Sequence, residues 1–131
     1  MRIILANGCF DVLHPGHVEH LQEAKMLGGL LVVGLTLDAF VNKPGRPIQP
    51  WHERAAMLMS LACVDGVVPC ENAVQAIRLL RPAYFVKGRD YSGGILGDEE
   101  KACWDIGAQP HYTGSLKRST TELIKRIKEA A

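Results

Sequence analysis

A doubly wound α/β sheet of about five parallel strands, with helices on both faces, is the fold that this 131-residue sequence predicts. Strand-length apolar runs alternate with segments of helical period along the whole chain, and the links between them are short. The run over residues 30–35 is apolar almost without interruption, as a strand covered on both faces requires. In such a sheet the ligand lies beyond the carboxyl ends of the strands.

Residues 3–6 form the first strand, which gives way to Asn7-Gly8, and Pro15-Gly16 opens a helix. On that helix Val18, Leu21, Ala24 and Leu27 share one face, with Glu19, Gln22, Glu23 and Lys25 opposite, and Gly28-Gly29 ends it. With the strand at 30–35 this completes a β-α-β unit. Residues 42–50 hold three prolines, one glycine and two basic residues, which makes them a loop over the end of the second strand. Pro50 suits the start of a helix over 51–62, with Ala55, Leu58, Met59 and Ala62 as its apolar stripe and Met57 and Met59 expected in the core.

A short strand follows at 64–68. Asn72 then caps a helix carrying Val74, Ile77 and Leu80, which Pro82 stops, and another apolar strand spans 84–87. After a glycine-rich loop over 88–97, Asp98 is expected to cap a helix running through Trp104 to Gly107, and 109–112 reads as the last strand. Ser119-Thr120-Thr121-Glu122 matches a capping box for a final helix whose buried stripe is Leu123, Ile124, Ile127 and Ala131. The length suits one domain over 1–131, large enough to bury a real core.

Composition excludes several classes of function. With 47% hydrophobic and 22% charged residues the chain reads as a soluble globular protein, and no run approaches the roughly 18 apolar residues of a membrane helix, so no membrane insertion is expected. Arg2 precedes an apolar run, but the run ends at Asn7-Gly8, too soon for a secretory signal. A net charge of +1 and the lack of a basic run argue against nucleic acid as a partner. Cys9, Cys63, Cys70 and Cys103 show no C-x-x-C pairing, which fits reduced thiols in the cytoplasm; Cys9 is expected to pack rather than to act as a nucleophile.

The chemistry-bearing residues gather around the first loop. Neither a G-x-x-x-x-G-K-[ST] loop nor a G-x-G-x-x-G fingerprint is present, so phosphate would be held by other means. His14 and His17 stand at a helix entrance, where unpaired backbone N–H groups and the positive end of the dipole attract anions and imidazole N–H groups donate to phosphate oxygens. The alternatives are capping or core histidines, or a metal site of His14, His17 and His20. His20 reads as a surface or packing residue, and His52 and His111 carry no signal. Asp11 either binds a metal or, the preferred reading, fixes the loop by accepting backbone N–H bonds. Lys43 and Arg46 are either basic groups that close over a triphosphate or solvated loop charges. Ser119, Thr120 and Thr121 offer a second helix N-terminus for an anion, with Lys117 and Arg118 adding charge nearby.

The stretch Asn7-Gly8-Cys9-Phe10-Asp11-Val12-Leu13-His14-Pro15-Gly16-His17 resembles the H-x-G-H signature of the cytidylyltransferase-like nucleotidyltransferases. Arg46-Pro47-Ile48-Gln49-Pro50 running to Glu53-Arg54, Val86-Lys87-Gly88-Arg89-Asp90-Tyr91 and Ser119-Thr120-Thr121 follow in the family's order and spacing. Four blocks in register over nearly the whole chain make this far more specific than a lone H-x-G-H. Within the family the chain resembles the adenylyltransferase domain of ADP-heptose synthesis, which acts on D-glycero-D-manno-heptose 1-phosphate.

That resemblance implies a Rossmann-like fold and an adenylyltransferase that moves AMP from ATP to a sugar 1-phosphate, releasing pyrophosphate and yielding an ADP-sugar for lipopolysaccharide core or surface glycan synthesis. Mg²⁺ would arrive with the nucleotide, and no metal ligand is assigned to the protein. It implies catalytic roles for His14, His17, Lys43 and Thr120, and nucleotide contact by Gly8, Cys9, Phe10, Asp11, Gly16, Arg46, Arg54, Lys87, Gly88, Asp90, Ser119, Thr120 and Thr121. For Arg54 the competing reading is a surface salt bridge to Glu53 or Glu71, and for residues 87–91 a plain strand-ending turn. A homodimer is implied, with Trp51 or Trp104 in an interface or in the core. Bifunctional relatives carry a sugar kinase ahead of this domain; because Met1 directly precedes the first strand, a kinase supplying the substrate is expected to be a separate protein.

Departures from the family bear on the nucleotide. Relatives that use CTP with glycerol 3-phosphate or choline phosphate read Arg-Thr-x-Gly-Ile-Ser-Thr-Thr where this chain reads Gly114-Ser115-Leu116-Lys117-Arg118-Ser119-Thr120-Thr121, which favours ATP. The heptose pattern has Gly-Cys before Ser-Thr-Thr and glycine at position 89, where this chain has Lys117-Arg118 and Arg89. CTP-dependent transfer to glycerol 3-phosphate or a similar alcohol phosphate is the nearest rival, and a non-catalytic nucleotide-binding module is a rival of another class. A fragment of an aminoacyl-tRNA synthetase is disfavoured by length, weak basic character and the lack of a Lys-Met-Ser-Lys-Ser loop.

Overall fold

In chain order, strands and helices alternate: β1 (Ile3–Gly8), α1 (Pro15–Lys25), β2 (Leu30–Thr36), α2 (Trp51–Met59), β3 (Gly66–Cys70), α3 (Ala73–Leu80), β4 (Tyr84–Gly88), α4 (Gly97–Ile106), β5 (Gln109–Thr113) and α5 (Thr120–Ala130), with a short 3₁₀ turn at Asp38–Phe40. The computed structural model describes residues 2–88, 95, 97–114 and 120–130, the side chains of Thr120 and Thr121 excepted. All five strands are parallel and lie in the order β3-β2-β1-β4-β5. This is the expected doubly wound sheet.

Alternation along each strand divides the core in two. Ile4, Ala6, Leu31, Val33, Leu35 and Val86 pack with Leu21 and Ala24 of α1 and Leu58 of α2 on one face. Leu5 and Phe85 pack with Ala73, Ala76 and Ile77 of α3 and Ala102 and Cys103 of α4 on the other. Gly34 permits the close approach of α3, since a Cβ there would stand 3.2 Å from the Ala76 Cβ and 3.3 Å from the Leu5 Cδ1. The chain therefore changes faces after β3, and β1 and β4, the neighbours on either side of that change, send their loops in opposite directions. The crevice this opens at their carboxyl ends is the ligand position of the fold.

Several boundaries differ from the sequence expectation. The third strand runs Gly66–Cys70, two residues later than expected, because Asp65 docks first: its N–H donates to Leu31 O at 2.8 Å and its Oδ2 accepts from Leu31 N at 2.8 Å. Pro69 is tolerated there because β3 is an edge strand, and Pro110 because β5 is the other. Helix α2 stops at Met59, and Met57 and Met59 are about half exposed rather than in the core. Arg54 and Leu58, one turn apart, take the inward face and turn both methionines outward. Asp98 lies inside the first turn of α4 with Glu99 and Glu100, where acidic groups complement the dipole, rather than at the cap. Asn72 does cap α3, its side chain accepting from Gln75 N at 2.9 Å.

On α5, Leu123 and Ile124 are half-buried while Ile127 is exposed, so the expected stripe is covered only in its first half. The expected cap Ser119 and the stripe's last residue, Ala131, lie outside the described residues. Trp51 packs against the α1/α2 face of the core, whereas Trp104 is 77% exposed and has no place in it. No helix among the described residues is long and apolar enough to cross a membrane.

The central strand carries the core on both faces, so truncating it is expected to be costly. Leu5, with 0% exposure, should lose about 2–5 kcal/mol on Leu5→Ala, measured by urea denaturation at pH 7; a loss under about 0.5 kcal/mol would contradict this packing.

Candidate active site

Between β1 and α1 the backbone takes two conformations that side chains disfavour. Phe10 has φ 46° and Val12 has φ 56°, both left-handed, and a β-branched residue rarely adopts that region. Each such residue costs about 1–3 kcal/mol and persists only where its surroundings enforce it. Asp11, between the two, supplies the enforcement. Its Oδ1 accepts from Gln49 N at 3.0 Å, and its Oδ2 accepts from Ile48 N at 2.8 Å and from Arg46 Nη1 at 3.1 Å. Val12 N donates to Gln49 Oε1 at 3.1 Å. The preferred sequence reading of Asp11 as a loop-fixing acceptor matches this geometry, except that the N–H groups come from the loop before α2 rather than from its own. Phe10 is buried against Gly8, where a Cβ would approach the ring to 2.9 Å, and its ring lies 5.4 Å from that of His17.

A second tie comes from Arg54, which has no exposure to water. Its Nε donates to Gln49 O at 2.9 Å, its Nη1 to Cys9 O at 2.8 Å and its Nη2 to Asp38 Oδ1. Glu53 and Glu71 are not its partners, so the surface salt bridge is not what forms. Direct contact with a nucleotide does not follow either, because the guanidinium is enclosed and joins the three segments that wall the site. Gln49 stands in the Arg46–Pro50 block that the resemblance singled out, without a role of its own there, and nothing in the sequence pointed to Asp38; both lie in the long connection between β2 and α2, without periodicity. Asn7, Thr36 and Trp51 close the sheet edge below, donating to Gly34 O and Cys70 Sγ, to Gly8 O and to Leu35 O respectively.

The two histidines cap their own helix. His14 Nδ1 accepts from Gly16 N at 3.0 Å, and His17 Nδ1 accepts from His14 N at 3.3 Å, a capping box made of imidazoles. The rings stack with centroids 3.9 Å apart and planes 22° apart. The capping alternative is therefore true of both. Pro15 has no N–H, and the N–H groups of His17 and Val18 both donate to His14 O, at 3.0 and 3.3 Å. This corrects the expectation of unpaired backbone N–H groups at the helix entrance: residues 15–18 have none to offer an anion, and donation falls to the rings. A ring whose Nδ1 accepts carries its proton on Nε2, so both imidazoles are neutral Nε2–H donors. For His17 the charged form is strongly disfavoured, its pKa being pushed down to about 3 by burial first and then by His14, His20 and Lys43.

That influence places exposed Lys43 within electrostatic reach of His17. Arg46, expected as a second mobile cation, is instead mostly buried in its ion pair with Asp11. Lys87, at the end of β4, pairs with the buried Glu99 of α4 at 2.7 Å, and Gly88 closes the strand beside it. Cys9 is half-buried and lends the site its carbonyl rather than its thiol. His20 is buried and bonded to Thr113, and its pKa is pushed down to about 4 chiefly by burial. Arg89, Asp90, Tyr91, Lys117, Arg118 and Ser119 lie outside the described residues; Thr120 and Thr121 begin α5, with side chains likewise outside. Among the described residues no group of three or more His, Cys, Asp or Glu is arranged to hold a metal.

Residues 5–106 match the family model described as cytidylyltransferase-like. The chain is 40% identical, over 97% of its length, to the bifunctional protein HldE of a Nitratiruptor species, and 46% identical, also over 97%, to that of Helicobacter pylori. It spans about 28% of the length of each. Among solved structures it resembles the lipopolysaccharide core biosynthesis protein of Thermoplasma volcanium, with a TM-score of 0.74 and 26% identity over 89% of this chain and 99% of that one. A TM-score of 0.60 with a pantothenate synthetase of Thermus thermophilus, at 14% identity over 95% of this chain and 64% of that one, shows a shared fold alone.

Two outcomes follow from this geometry. Arg54→Ala strips donors from two backbone carbonyls and from Asp38, and should destabilise the protein by about 3 kcal/mol in urea denaturation, whereas Glu53→Ala should change it by less than about 0.5 kcal/mol. His17 and His20 are held below the ordinary histidine value of 6.5, so the folded protein keeps them neutral while the unfolded chain takes up their protons near that pH. Stability is thus complete above pH 6.5 and falls as the pH drops toward 4, by about 1 kcal/mol per pH unit for each ring. Denaturation series at pH 7 and 5 should show a shallower fall for His17→Asn, which keeps an acceptor for His14 N; equal slopes would refute the neutral assignment.

Proposed function

Since the chain belongs to the cytidylyltransferase-like family of nucleotidyltransferases, we propose that it moves AMP from ATP to a sugar 1-phosphate, with D-glycero-D-manno-heptose 1-phosphate as the acceptor. The observation that carries this reading is the stacked pair of Nε2–H imidazoles at the start of α1, at the crevice between β1 and β4. In the reaction, an oxygen of the acceptor's phosphate bonds to the α-phosphorus, the bond from that phosphorus to the bridging oxygen breaks, and pyrophosphate leaves with the electron pair. Negative charge grows on the α-phosphate oxygens as the fifth bond forms. Donors that are fixed in advance stabilise that charge without reorganising, and His14 and His17 meet this condition because their Nδ1 atoms are anchored to backbone N–H groups.

The attacking oxygen is already anionic, so the step needs no general base. This agrees with a His17 that is neutral and whose second nitrogen is already bonded. Lys43 supplies positive charge beside the reacting phosphate, and the first turn of α5, with Ser119, Thr120 and Thr121, receives the departing phosphates. Gly8, Phe10, Asp11 and Gly16 shape the floor on which the nucleotide lies, and Lys87, Gly88 and Asp90 its far side. Arg46 and Arg54 act by holding the loops. Mg²⁺ comes with the nucleotide: Asp11 is occupied by Arg46 and two backbone N–H groups, and no other carboxylate cluster presents itself among the described residues.

The curated relatives are named bifunctional and are more than three times as long as the stretch this chain matches, so the activity proposed is that of one part of them. The Ser-Thr-Thr context supports ATP over CTP, and the H-x-G-H loop in its Asn-Gly-Cys-Phe-Asp form supports a heptose. The reaction proposed takes place in the cytoplasm, in a homodimer, on substrate supplied by a sugar kinase activity.

Pyrophosphate release is the decisive measurement, with ATP and CTP each crossed against the heptose 1-phosphate and glycerol 3-phosphate in Mg²⁺. Release with ATP and the heptose alone is the expected result; release with CTP and glycerol 3-phosphate would replace the substrate assignment, and tight ATP binding without release under any acceptor would favour a binding module. His17→Ala should lower kcat by about 10²- to 10³-fold while remaining folded, and near-wild-type turnover would remove His17 from the mechanism.

A further inference from the structure

The ties that hold the central loop meet on Gln49. Its N–H donates to Asp11 Oδ1 at 3.0 Å, its carbonyl accepts from Arg54 Nε at 2.9 Å, and its side-chain Oε1 accepts from Val12 N at 3.1 Å. Its backbone is fixed from the other side as well. Pro50, the next residue, caps α2 with a carbonyl that accepts from Glu53 N and Arg54 N at 3.0 and 3.1 Å, and a residue before proline is confined to extended conformations. The half-buried carboxamide of Gln49 therefore starts from a fixed root.

Of the three bonds, the one to Val12 is made by the side chain alone. Val12 offers an N–H, so the carboxamide must turn its oxygen toward it. Val12 is β-branched and left-handed, with φ 56°, and the strain of such a residue is comparable with what one hydrogen bond contributes. This bond fixes the plane of the Asp11–Val12 peptide, and with it the direction in which the chain continues. On one side of that peptide stands Phe10, its ring 5.4 Å from that of His17; on the other come Leu13, packed against the α1/α2 core, and then His14.

We propose that Gln49 is a positioning residue of the active site, whose carboxamide holds the Asp11–Val12 peptide so that Phe10 stays against His17 and the chain enters the His14–His17 pair in the conformation that turnover needs. This rests on the reading that the imidazole pair stabilises the reacting phosphate. Gln49 acts through the loop and not on the reacting atoms. Misplacement on the scale of 1 Å is enough to lose a large part of a catalytic advantage.

Gln49→Leu removes the acceptor and keeps the bulk, Gln49→Glu keeps an acceptor oxygen at the same reach, and the backbone bonds of residue 49 survive in both. Val12→Gly takes the left-handed conformation without strain and so lessens the need for the bond. For each variant, and for Gln49→Leu combined with Val12→Gly, kcat and the KM for MgATP would be measured by pyrophosphate release, together with the Tm and the nuclear Overhauser contact between the Phe10 and His17 rings. Gln49→Leu should lower kcat about 30-fold in folded protein, with KM changed less than about twofold. Gln49→Glu should stay within about threefold of wild type, and in the Val12→Gly background the loss from Gln49→Leu should shrink to about threefold or less. Wild-type kcat in Gln49→Leu, a kcat that merely tracks the folded fraction, or a loss undiminished by Val12→Gly, which would mark direct contact with substrate, would overturn the proposal. Gln49→Ala, read in the same way, replaces Gln49→Leu if the latter does not fold. A wild-type protein that binds ATP but releases no pyrophosphate would sink the catalytic reading alone; the Phe10–His17 contact, kept in Gln49→Glu and lost in Gln49→Leu, would still decide whether Gln49 holds the loop.

Discussion

A guanidinium sealed from water must find all its acceptors inside the protein, and for Arg54 these are the Cys9 carbonyl, the Gln49 carbonyl and the Asp38 carboxylate. The three acceptors belong to the loop after β1, the loop before α2 and the turn after β2. Satisfying one buried charge therefore fixes the mutual position of these three segments. Asp11 performs the converse operation, gathering the Arg46 guanidinium and the N–H groups of Ile48 and Gln49. The cation binds one carbonyl from each of two loops, and the anion, seated on the first of them, binds N–H groups of the second. The left-handed Phe10 and Val12 persist because this double tie leaves the backbone no cheaper path.

Rigidity here serves electrostatics. Phe10, held in its strained conformation, stands against His17 and helps bury it, and burial is the main cause of its lowered pKa. A neutral pair can stack at 3.9 Å where two imidazolium rings would repel. In the proposed reaction the cationic work falls to exposed Lys43, since Arg46 and Lys87 are engaged by Asp11 and Glu99. That proposal gives hydrogen-bond donation and charge neutralisation to different side chains, the first on a fixed element and the second on a loop.

Helix α1 links the parts. Its first turn presents the imidazoles, its apolar face of Leu21 and Ala24 packs on the central strands, and its middle turns hold the end of β5 through His20 and Glu23. Small residues at contact points, Gly8 under Phe10 and Gly34 under Ala76, let a loop and helix α3 approach the sheet closely.

Sequence by itself determined the architecture and the identity of the central loop. Apolar runs of strand length between turn residues read as strands buried on both faces, Asn72 before an apolar helical stripe reads as a cap, and Asn7-Gly8 through His17 carried the pattern of the family. These features are local, and local physics writes them into neighbouring residues. What tertiary structure alone decided was how residues distant in the chain divide the labour. Arg54 reads as a nucleotide contact, or as a surface cation paired with Glu53 or Glu71, until Cys9, Gln49 and Asp38 close around it; Met57 and Met59 read as core until Arg54 takes the inward face. His20 reads as a spare histidine until Thr113, 93 residues away, supplies its partner. Periodicity reports which face of an element is covered, but not what covers it, and a buried polar group is defined by its partners, which only the assembled fold brings within reach.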